Sequence, residues 1–108
     1  MTDKELLELS AKAAGYNYAK KGGYIVVDGI PGNWNPLSDD GDALRLAEKC
    51  GLTVCMDGLG TVSACDERQR KEVFCTQSIK ECGSRIEATR LVIVRAAAAI
   101  GEKMEIKP

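Results

Sequence analysis

Asn33-Trp34-Asn35-Pro36-Leu37-Ser38-Asp39-Asp40-Gly41-Asp42-Ala43-Leu44 holds the only tryptophan of the chain and one of its three prolines. It also runs straight into a helical pattern. Pro36 fixes its own φ and pushes Asn35 toward extended backbone. Ser38, Asp39 and Asp40 are all good N-cap residues. Asp39 followed by Asp42 approximates a capping box, with the shorter acid in place of glutamate. Negative charge in a first helical turn is favoured by the helix dipole. The predicted helix continues through Cys50 and stops at Gly51, a natural residue just past a helix end.

Two readings of this stretch follow. In the first, the loop caps a helix and Trp34 is pinned on the core. In the second, it is a ligand loop: Trp34 as an aromatic platform, Asn33 and Asn35 as amides, and Asp39, Asp40 and Asp42 as an acidic cluster. A helix N-terminus attracts anions, but here three aspartates already occupy it. A cation, or the amino, amide or hydroxyl groups of a ligand, suits it better than phosphate.

Further along, Thr2 and Glu5 form a capping box that opens an amphipathic helix ending at Gly15. Lys20-Lys21-Gly22-Gly23 is a turn signal before the β-branched run Tyr24-Ile25-Val26-Val27, which predicts a hairpin from about residue 17 to 28. Residues 29–38, with Gly29, Pro31, Gly32 and Pro36, read as an irregular loop. Beyond Gly51, strands are expected over 52–56, 61–65 and 72–76, joined tightly enough for an antiparallel meander. A charged connection, residues 66–71, precedes the last strand. Ser84 and Glu87 form a further capping box for a helix to Ile100, with Gly101 as its stop. That helix is apolar on most of its circumference, whereas an outer helix carries one stripe. It should be central, or face a second copy. Its Leu91, Val94 and Ala98 stripe, interrupted by Arg95, is the expected homodimer interface. The fold expected is α+β: one domain, with an antiparallel sheet of four to five strands and about three helices packed on it.

Residues 33–47, the closing run Glu87-Ala88-Thr89-Arg90 with residues 93–101, and the opening Glu5-Leu6-Leu7-Glu8-Leu9 with residues 11–15 together resemble the phage ABA sandwich domain family. Those are small proteins of tailed phages and prophages. The resemblance implies a layered α/β fold and a phage origin, and carries over no catalytic residue.

At 108 residues, 44% hydrophobic and 29% charged, the composition is that of one ordinary globular domain. A net charge of −1 gives no global pull toward nucleic acid or anionic membrane. No signal peptide and no run long enough for a membrane span is seen, so the cytosol of a host bacterium is expected. There are five cysteines and no histidine. No cysteine pair has metal-ligand spacing, so free thiols are expected, and neither a metal nor a cofactor. Catalysis that pairs serine or cysteine with histidine is excluded.

The expected function is a non-enzymatic phage protein, of the anti-defence or host-takeover kind. It would bind a host defence protein or a small nucleotide-like signal through the Trp34 loop, the Arg68, Arg70 and Lys71 loop, or both. The alternative is a nucleic-acid-binding accessory protein, resting on Arg68, Arg70, Lys71, Lys80, Arg85 and Arg90. Glu67, Glu72, Glu81 and Glu87 dilute that cluster.

Overall fold

The structure, a computed structural model, describes residues 2–66 and 73–105. Its elements run α1 (Asp3–Ala14), β1 (Tyr18–Lys21), β2 (Tyr24–Val27), β3 (Ile30–Trp34), α2 (Asp40–Cys50), β4 (Leu52–Cys55), β5 (Thr61–Asp66), β6 (Phe74–Ser78), α3 (Ile79–Cys82) and α4 (Arg85–Glu105). The class is α+β. The strands form two three-stranded antiparallel sheets, ordered β1-β2-β3 and β4-β5-β6. This corrects the expectation of a single sheet of four to five strands.

The local signals account for most of the elements. Thr2 and Glu5 make the reciprocal capping box, and Gly15 closes α1 at φ 78°. Gly22, at φ 60°, turns the β1–β2 hairpin, whose register pairs Tyr18 with Val27 and Lys21 with Tyr24. Gly51 ends α2 in the left-handed region at φ 67°.

Strand β3 lies where the irregular loop was expected. It pairs with β2 through an irregular register, Ile25 with Trp34 and Val27 with Ile30. It is an edge strand, where a proline costs no ladder hydrogen bond, so Pro31 is tolerated. The last strand is Phe74–Ser78, ending two residues later than expected, and the one-turn helix α3 follows it directly; residue 72, where that strand was expected to begin, and residues 67–71 of the expected charged connection lie outside the described residues.

Helix α4 is the centre of the molecule. It packs against α1, α2 and the β4–β6 sheet. Val92, Val94, Ala96 and Ala97 are wholly buried, and Ala98 is 1% exposed. Of the stripe expected to face a second copy, Val94 and Ala98 are therefore already covered within one chain. Leu91 is half-buried, and Arg95 is exposed and donates to Gln77 Oε1 at 2.8 Å. The apolar circumference reflects a central helix, the other outcome that the pattern allowed.

Gly101 does not stop this helix, which continues to Glu105. A Cβ at that position would overlap the carbonyl oxygen of Leu9. The glycine lets the α1 backbone come close, and the continuous α4 ladder satisfies its own amides. Both sheets contribute to a single core: Ile25, Val27 and Trp34 from the first, Val62 and Ala64 from the second.

All five cysteines are thiols outside any disulfide. Burial pushes the Cys50 thiol from 9.0 up to about 11, with the Asp66 charge adding to it. The unfolded chain thus ionises this thiol first, so its contribution to stability is complete below pH 9 and is lost as pH rises toward 11. The melting temperature should fall across that interval, and the Cys50→Ala variant should lose less of it. Identical alkaline profiles for the two proteins would contradict the assignment.

Candidate functional site

The N-terminus of α2 is built from carboxylates that each have their own partner. Asp39 is the N-cap, in extended backbone at φ −115°, and its Oδ2 accepts from the Asp42 N–H at 2.8 Å. Asp42 does not return the bond as in a capping box. Its Oδ2 accepts from the Asn35 N–H at 3.0 Å, and its Oδ1 from Arg45 Nη2 at 2.8 Å. Asp42 is buried, so this pairing meets the need of a buried charge for charge-assisted donors. Asn35 folds its own loop: its Oδ1 accepts from the Leu37 N–H at 3.0 Å, and its carbonyl accepts from Ser38 and Asp39.

Asp40 points elsewhere. Its Oδ1 lies 2.6 Å from Nη1 of Arg90, which also donates Nε–H to the Leu37 carbonyl at 2.9 Å. The central helix thereby holds the loop from behind.

Trp34 is fully buried, edge-on to Tyr16 with ring centroids 5.6 Å apart and planes at 75°. Its indole N–H has no hydrogen-bond partner among the described residues. Burial raises the pKa of the Tyr16 phenol, and the Arg45 charge opposes that shift. Trp34 is a core residue and not an exposed platform.

A cleft of about 620 Å³ is lined by Gly29, Ile30, Pro31, Asn33, Asn35, Ser38, Asp39, Asp42 and Arg45. Small-molecule sites fall in this size range. The structure thus brings Asn33, Asn35, Asp39 and Asp42 together on one concave surface. Trp34 is buried and does not line that surface, and Asp40 turns away to Arg90. Arg68, Arg70 and Lys71 lie outside the described residues. Arg45 and the backbone of β3 are the additions that the sequence reading missed. The signal for Arg45 was present, since three residues after Asp42 is the same helix face. The signal for β3 was hidden by its proline and glycines.

The side chains of Asn33 and Ser38 and the amide nitrogen of Asn35 make no hydrogen bond to another described residue. Arg45 spends one donor on Asp42 and keeps its side chain 54% exposed. The cleft can offer amide donors and acceptors, a hydroxyl, a carboxylate edge and a guanidinium. No three His, Cys, Asp or Glu side chains converge on a possible metal position among the described residues.

Replacing Trp34 with alanine should destabilise the fold by about 3–5 kcal/mol, the range for deleting a buried aromatic. Thermal melts of the variant check this. An unchanged melting temperature would return the ring to the role of ligand platform.

Comparison with known protein families, curated proteins and solved structures found no match for this chain.

Proposed function

We propose that this protein is a non-catalytic binding protein whose ligand is a small nucleotide-like molecule, held in the cleft between β3 and the N-terminus of α2. The observation that carries this reading is a concave surface of suitable volume on which the side chains of Asn33 and Ser38, the amide nitrogen of Asn35 and the remaining donors of Arg45 are unused. Asn33 presents both a donor and an acceptor and Asn35 an amide donor, which suits the edge of a base. The Asp39 carboxylate suits ribose hydroxyls. The three acids keep phosphate away from the helix N-terminus, so a phosphate end would lie against the free donors of Arg45. The carboxylates hold the loop and cap the helix, and no general base is paired with a nucleophile among them.

The phage setting, and with it an anti-defence role in a host cytosol, rests on the likeness of residues 33–47 and of the two terminal helices to the phage ABA sandwich domain family. Sequestering a signal nucleotide would be the corresponding activity. The nucleic-acid alternative has less support, since Arg85 and Arg90, two of its basic residues, are engaged with carbonyl and carboxylate oxygens.

Calorimetric titration with a panel of mono-, di- and cyclic nucleotides tests the proposal. One saturable site is expected, weakened about tenfold by Asn33→Ala, the equivalent of one lost hydrogen bond of roughly 1.4 kcal/mol. The melting temperature of that variant should be unchanged, because Asn33 is exposed. Failure of every nucleotide to bind, or undiminished binding by the variant, would reject it.

A further inference from the structure

Strand β4 lies at the edge of its sheet and pairs only with β5 among the described residues. The edges of the other sheet are blunted, β1 by Lys20 and Lys21 and β3 by Pro31 and Gly32. Those are the devices that discourage strands from adding to an edge. The run Leu52-Thr53-Val54-Cys55 carries none of them.

Beside this bare edge runs an apolar groove. One cavity of about 240 Å³ lies between α2, the end of β4 and the start of α4, and a second of about 500 Å³ continues along β4 toward Gly51. Leu44, Ala47 and Val54 line both, so the two are one trough along the strand. Leu44, which lines it throughout, is 71% exposed, with Met56 at 43% and Ile86 at 42% at one end. An apolar residue so exposed beside an unpaired strand is a place for a further strand with apolar residues on one face.

We propose that the occupant is β4 of a second copy of this chain, added antiparallel about a two-fold axis, joining two sheets into one of six strands. The strand itself has the required alternation. Leu52 and Val54 are half-buried on the helix side, while Thr53 and Cys55 point out. From the second copy, Leu52 and Val54 drop into the trough over Leu44.

Each end of the strand carries one acid and one base, which an antiparallel pair can match with opposite charges. Exposed Glu48 and Lys49 precede β4, and exposed Asp57 and Arg85 stand at its far end, where Arg85 donates to the Gly58 carbonyl at 2.7 Å. Antiparallel pairing sets the start of one strand beside the end of the other. Glu48 of one copy then faces Arg85 of the other, Lys49 faces Asp57, and both contacts occur twice, as two-fold symmetry demands. A parallel arrangement would instead bring each of these charges against its like.

Sedimentation of the full chain at about 100 µM tests this, with a dimer of twice 11.6 kDa expected. Leu44→Glu, at an exposed position, should give a monomer with an unchanged circular dichroism spectrum. Lys49→Glu should weaken the dimer by placing like charges together, and adding Asp57→Lys in the same chain should restore it. A monomeric wild type, a dimer indifferent to Leu44→Glu, or a charge swap that fails to restore association would each overturn the proposal.

Discussion

Helix α4 is covered by α1, α2 and the β4–β6 sheet, and the other elements take their positions from it. An outer helix needs one apolar stripe; this one buries Val92, Ile93, Val94 and Ile100 together with a series of alanines. Each of the larger side chains contributes roughly 1.5–3 kcal/mol on burial. The alanines contribute less by area and more by geometry, because they let neighbours approach the helix axis. At Gly101 the approach is closest, with the backbone of α1 where a side chain would otherwise stand.

The candidate site depends on the same helix. Arg90 leaves α4 to hold the Leu37 carbonyl and the Asp40 carboxylate. Those two contacts fix the loop on its far side, while Asp42 fixes it on the near side through Asn35 and Arg45. Trp34, between Asn33 and Asn35 in the chain, anchors the segment in the core next to Tyr16. The cleft is thus a product of core packing and capping, and its unused polar groups lie on a surface held by these contacts.

The helix ends were legible in the sequence because caps are local chemistry. Thr2 with Glu5, Asp39 with Asp42, and Gly15 and Gly51 are each read from a few adjacent residues. The division into two sheets was not legible, since alternation shows that a strand exists and not which strand it joins. Strand β3 was missed because Pro31 and Gly32 argue against a strand everywhere except at an edge, and edge position is a property of the whole fold. Gly101 was misread for a similar reason. A glycine at the end of an apolar run serves equally well as a stop or as a point of close approach, and only the position of α1 decides. Of the site, Asn33, Asn35, Asp39 and Asp42 were legible as a polar cluster around an aromatic. The outward turn of Asp40 required knowing where Arg90 of α4 would lie.

Native-state hydrogen exchange, resolved by residue, tests the central position of α4 most directly. Amides between Val92 and Ile100 should be the slowest in the protein and should exchange together through global unfolding, since no smaller opening exposes a helix covered on three sides. Amides of α1 and of the β1–β2 hairpin should exchange faster. If α4 exchanged faster than either of them, it would be a peripheral helix and the account would be wrong.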